Sequence, residues 1–95
     1  MLSGKQKSYL RSEAHHLQPI FQIGKGGLTE PIIKQIEEAL EARELIKVSI
    51  LQNCEEDKSD IAAKFQEAGI DVVQVIGKIL VLYKESKEKK RIVLP

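Results

Sequence analysis

The sequence predicts an α/β domain: a two-layer sandwich with elements in the order α-β-α-β-α-β-β and a four-stranded mixed sheet. Three observations lead there. Apolar runs of period two alternate with segments whose apolar residues recur every three or four positions, which separates strands from helices. The order contains two strand–helix–strand crossovers, and their right-handed preference puts both crossover helices on one face of the sheet and leaves the other partly free. The length of 95 residues suits one domain, 1–95, with a single core and neither internal repeats nor a second unit.

The first helix is expected from about Ser3 to His16. Ser3 and Gln6 stand at capping-box spacing, and Leu10, Ala14 and Leu17 recur at helical intervals. Lys7, Arg11 and His15 then form one stripe, an arrangement that does not help the helix itself. "PIFQI" reads as a short strand opened by Pro19. Thr29 can cap the second helix, with Pro31 in its first turn, and the helix buries Ile32 or Ile33, Ile36 and Leu40 while showing Lys34, Glu37, Glu38 and Glu41 to water. In "LIKVSIL", Ile46, Val48 and Ile50 face one way and Lys47 and Ser49 the other. The acidic loop "NCEEDKSD" leads into a third helix that carries Ile61, Phe65 and Ala68 and stops at Gly69. "IDVVQVI" and "ILVLYKE" flank Gly77-Lys78 as a hairpin, with Gly77 suited to the first central position of a type II′ turn. The basic tail from about residue 85, "SKEKKRIVLP" onward, is charged until its last four residues and is expected to be partly mobile.

Composition narrows the chemistry. Apolar residues make up 42% of the chain but aromatics only 4%, so the core is built from Ile, Leu and Val. The single cysteine, Cys54, excludes an internal disulfide, and no cofactor or metal site is indicated, since no Cys/His cluster has zinc-ligand spacing. Without an apolar stretch that resembles a signal peptide or a membrane span, a cytoplasmic protein with no membrane partner is expected. No enzyme is expected either. His15 and His16 diverge on a helix, Cys54 stands among acidic residues that oppose nucleophile activation, and Glu55, Glu56, Asp57 and Asp60 lack calcium-loop spacing. The net charge of +1 hides a sorted distribution: +3 over residues 1–34, −6 over 35–71 and +4 over 72–95. Such sorting can orient a protein towards a polyanion, and it equally fits basic and acidic helices neutralising one another.

The stretch "FQIGKGGLTEPII" holds the most specific local signal. Gly24, Gly26 and Gly27 permit close backbone approach, and the N-terminus of the next helix offers unpaired N–H groups and partial positive charge. Lys25 adds a cation. The Walker pattern and G-x-G-x-x-G are both absent, which argues against nucleotides. Gly24-Lys25-Gly26-Gly27 does fit G-x-x-G, the loop that clamps a nucleic-acid backbone, although a tight strand-to-helix turn would explain the same four residues.

Several spaced elements agree with one known family: Gly4-Lys5-Gln6, Tyr9-Leu10-Arg11, Ala14-His15, Ile23 to Thr29, and Leu45 to Val48, continued by "GKILVLYK" and the terminal "KRIVLP". Over nearly its whole length the chain resembles the CRM domain, named for chloroplast RNA splicing and ribosome maturation, and within it the stand-alone bacterial YhbY-type proteins. The resemblance implies a fold like the C-terminal domain of translation initiation factor three, with the last strand antiparallel. It implies binding of structured RNA, in particular large-subunit ribosomal RNA in pre-ribosomal particles, and a role in ribosome assembly, with no small-molecule substrate; a protein at work there can also touch ribosomal proteins. The expected RNA-binding residues are Gly24, Lys25, Gly26, Gly27 and Thr29 of the loop, Lys5, Lys7, Arg11 and His15 of the first helix, and Lys84. Arg43 departs from the histidine that relatives often carry before "ELIKV". A competing account is a protein-interaction module that uses Glu37, Glu38, Glu41 and Glu44 of the second helix.

Overall fold

A computed structural model describes residues 2–95. The elements follow the predicted order: α1 (Gly4–Ala14), β1 (Pro19–Ile23), α2 (Glu30–Arg43), β2 (Leu45–Ile50), α3 (Lys58–Glu67), β3 (Asp71–Ile76) and β4 (Ile79–Tyr83). The capping box at the start of α1 forms as its spacing predicts: the Gln6 N–H donates to the Ser3 hydroxyl at 3.1 Å and the Ser3 N–H to the Gln6 side-chain oxygen at 3.0 Å. Thr29 occupies the N-cap position of α2, but its side chain makes no capping hydrogen bond. Gly77 takes φ 57 at the β3–β4 turn while Lys78 keeps a negative φ, the combination a type II′ turn requires.

The sheet is four-stranded, in the order β1-β2-β4-β3. β1 and β2 run parallel, whereas β4 lies antiparallel to both of its neighbours, so the sheet is mixed and its two central strands come from different parts of the chain. Because side chains alternate along a strand, each central strand feeds two cores. On one face Val48, Leu80 and Leu82 pack with Ile36 and Leu40 of α2 and with Ile61 and Phe65 of α3. On the other, Leu45, Val81 and Tyr83 pack with Leu10 and Ala14 of α1, joined by Ile92 and Leu94.

That second face is the one expected to be partly free. Its buried positions lie towards the Leu45–Tyr83 end, where α1 covers it. At the opposite end, the cross-strand row Gln22, Ser49, Ile79 and Ile76 is half-buried or exposed. The tail expected to be partly mobile is in contact with the rest of the fold. Residues 86–92 have no regular structure, yet their backbone is tied to α2, and Ile92 and Leu94 enter the second core.

Candidate functional site

β1 ends in the buried Ile23, and the chain reverses through a turn closed by the Gly27 N–H donating to the Gly24 carbonyl at 3.0 Å. Gly27 has φ 72, and a β-carbon placed on it would stand 2.6 Å from Oε1 of Glu56. Glycine is therefore required there twice over, by conformation and by space.

Glu56 fastens the inner side of the loop. Its Oε1 accepts from the Leu28 N–H at 2.8 Å, and its Oε2 pairs with Lys64 Nζ at 2.5 Å; the same ammonium donates to the Leu28 carbonyl at 3.3 Å. The Leu28 N–H and then the Lys64 ammonium hold the Glu56 carboxyl below its ordinary value, against the opposing effect of burial. Leu28, so anchored, plugs the core at 4% exposure. Of the N–H groups expected to be unpaired at the start of the second helix, the one directly after the glycines thus already serves a carboxylate of the protein. Glu30 in the first turn of α2 adds a second negative charge on that side.

The outer side differs. Lys25, Gly26 and Thr29 are exposed, and among the described residues the Lys25 and Gly26 N–H groups donate to no backbone carbonyl. A β-carbon on Gly26 would meet nothing within 4 Å, and one on Gly24 only Leu51 Cδ1 at 3.6 Å. Neither residue has a positive φ. The fold itself thus demands glycine at 27 but not at 24 or 26.

The remaining expected residues fall elsewhere. Lys5 and Arg11 are exposed on α1 and Lys7 is half-buried there, on the helix that covers the second face, while His15 is exposed at its C-cap. Lys84 follows β4 at the Leu45–Tyr83 end, roughly 17 Å from the loop by the rise of β2. It is ion-paired with Glu37 at 3.4 Å, so it does not join the loop. Arg43 is exposed and lines a small cleft with His16, Gln18 and Ile20 at the start of β1.

The acidic face of α2 is not the open surface the competing account needs. Glu44 is fully buried at φ 66, and its carboxylate accepts the N–H groups of Ser86, Arg91 and Ile92. Glu41 accepts from the Ser86 hydroxyl at 2.6 Å and from the Lys87 and Glu88 N–H groups at 2.9 and 3.1 Å. With Glu37 held by Lys84, Glu38 alone of the four glutamates stands exposed without an internal task among the described residues. Sequence reasoning missed the structural roles of Glu41, Glu44 and Glu56, because the loop and tail groups whose hydrogen bonds they accept lie 28 to 48 residues away. One signal was available for Glu44: α2 passes directly into β2 without a glycine, so an ordinary residue must take the left-handed turn.

Comparison with known proteins agrees with this fold. Residues 2–84 match the CRS1 / YhbY (CRM) domain. The chain is 67% identical over 96 residues to "Probable RNA-binding protein YqeI" of Bacillus subtilis, with both chains covered completely. It is 47% identical over 90 residues to an "RNA-binding protein" of Haemophilus influenzae, covering 94% of this chain and 91% of that one. The solution structure of a hypothetical protein from Staphylococcus aureus matches all of both chains with a TM-score of 0.82 and 59% identity.

Proposed function

Since the chain belongs to the CRS1 / YhbY (CRM) domain family, we propose that it binds structured RNA and grips the phosphate backbone on the outer side of the Gly24–Gly27 loop. The observation that carries this reading is the pair Gly24 and Gly26. Neither conformation nor internal packing requires them to be glycine: beside the exposed Lys25, a β-carbon on Gly26 would stand in open space and one on Gly24 would meet only Leu51 at ordinary contact distance. An approaching backbone does require it, because a β-carbon would hold a phosphate away from the free N–H groups. The printed names of the relatives support RNA as the ligand class.

Within that reading the RNA is large-subunit ribosomal RNA in pre-ribosomal particles, the protein assists their assembly in the cytoplasm, and ribosomal proteins are neighbours there. The loop N–H groups seat a phosphate, while Lys25 and the cations of α1 displace counterions. The test is in-cell crosslinking followed by RNA sequencing, with the wild type set against a folded Lys25→Glu, Gly26→Asp variant. Crosslinks concentrated on large-subunit ribosomal RNA and lost in the variant are expected. Equal, scattered crosslinks from both proteins would remove the loop as the RNA site and the ribosomal role with it.

A further inference from the structure

The loop mechanism makes no use of the C-terminal segment, which lies beyond the residues 2–84 that match the family. That segment is nevertheless built into the fold. Glu44 accepts from the Ser86 N–H and the Ile92 N–H, each at 2.8 Å, and also from the Arg91 N–H. Glu41 takes the Ser86 hydroxyl and the next two N–H groups, and the Ser86 oxygen in turn accepts from the Lys89 N–H at 2.8 Å. Beyond these ties Ile92 and Leu94 pack in the α1 core, and the Pro95 carbonyl accepts from Gln6 Nε2 of α1 at 3.3 Å. The chain end therefore runs from the C-terminal end of α2 to the N-terminal end of α1.

A segment held by its backbone leaves its side chains free. Lys87, Lys89 and Arg91 are exposed, and among the described residues none of them is ion-paired, whereas Lys90 pairs with Glu85 at 2.8 Å. The two carboxylates beneath bond the strap's N–H groups rather than the ends of these side chains, although Glu41 still exerts its charge on Lys87. A mobile tail would lose ordering entropy on binding a polyanion, and a docked one has already met that cost in folding.

We propose that residues 85–95 form a docked basic strap, a second contact for RNA phosphates in which Lys87, Lys89 and Arg91 stand as a fixed array leading to Lys5 and Lys7 of α1. This rests on the RNA reading above but not on the loop. The test is equilibrium binding of a structured fragment of large-subunit ribosomal RNA across a salt series. It compares the wild type, a Lys25→Ala variant, a Lys87→Ala, Lys89→Ala, Arg91→Ala triple variant and Glu44→Gln. Three lost phosphate contacts should lower affinity about tenfold and flatten the slope of log affinity against log salt by about 2. Glu44→Gln, which unties the strap but keeps its cations, should lower affinity a few-fold with the slope unchanged and with faster amide exchange at Ser86, Arg91 and Ile92. A triple variant that binds like the wild type while Lys25→Ala is impaired would overturn the strap and leave the RNA reading intact. Unchanged RNA affinity with loss of the triple variant from pre-ribosomal particles would assign the strap to a protein partner, again overturning the proposal. No binding by the wild type would mean that the RNA reading itself had failed.

Discussion

Two neighbouring glycines separate what the fold needs from what a ligand needs. Gly27 carries a positive φ and faces Glu56, so Gly27→Ala strains the backbone and drives a methyl into a carboxylate. The expected loss is about 2 kcal/mol or more of unfolding free energy, measured by denaturant titration. Gly26→Ala should leave stability within about 0.5 kcal/mol or raise it, because the added methyl meets open space and the unfolded chain loses freedom. Its RNA affinity should nevertheless fall; unchanged affinity would mean that no backbone approaches Gly26. Glu56→Ala leaves the buried Leu28 N–H without its acceptor and Lys64 without its ion pair, a destabilisation of about 1 to 3 kcal/mol. At this scale the sequence was half legible. The glycine pattern marked the loop, but nothing local marked Glu56, 28 residues away, as the group that fixes its inner side.

Among the elements, those whose character is written in adjacent residues were legible: the Ser3/Gln6 box, the strand "PIFQI" and the Gly77 turn all appear where short-range patterns place them. The contacts of the C-terminal segment were not legible, for an equally physical reason. Its composition is that of a solvated tail, and its order comes from two carboxylates on α2 that themselves read as a solvated face. Glu44 accepts a left-handed backbone, at a cost of about 1 kcal/mol for a residue with a β-carbon, and in that position its carboxylate lies beneath the strap. For Glu44 burial pushes the carboxyl up, but the N–H groups of Ser86, Arg91 and Ile92 together outweigh it and the net direction is down. For Glu41 the Lys87 N–H, the Ser86 hydroxyl and the Glu88 N–H lower it. Both carboxyls thus titrate below the ordinary glutamate value of 4.5. The stabilisation they give is present above that value and lost as pH falls through the lowered ones. Lys87 faces Glu41, and Lys90 and Tyr83 face Glu44; the last two are both raised and keep their charge states through that acid range. Acid should therefore release the strap: the methyl resonances of Ile92 and Leu94 should move towards disordered values below pH 4.5, before those of Leu80 and Leu82. Simultaneous loss of all four signals would mean that the strap does not open separately from the domain.

For the whole molecule, a net charge of +1 predicts little attraction to a polyanion, and the arrangement of the charges predicts a good deal. The acidic middle of the chain is largely engaged internally: Glu37 with Lys84, Glu41 and Glu44 with the strap, Glu56 with the loop. Lys25, Lys5 and Arg11 remain exposed, and among the described residues they have no ion-pair partner. If these three and the three strap cations meet phosphates, raising salt fourfold should weaken RNA binding by about three-hundredfold. The same accounting limits selectivity. Phe65 and Tyr83 are buried and Phe21 packs against the core, so Tyr9, 36% exposed, is the one phenylalanine or tyrosine ring that is exposed among the described residues, and the exposed His15 and His16 rings stand edge to face against each other. Reading bases by stacking needs more than one such ring. Competition binding should then show that unrelated structured RNAs of equal length displace a ribosomal fragment within roughly tenfold of its own affinity, because phosphate contacts carry no sequence information. A ribosomal fragment preferred by a factor of a thousand, or an affinity indifferent to salt, would require base contacts that this surface does not offer and would overturn recognition through backbone and shape.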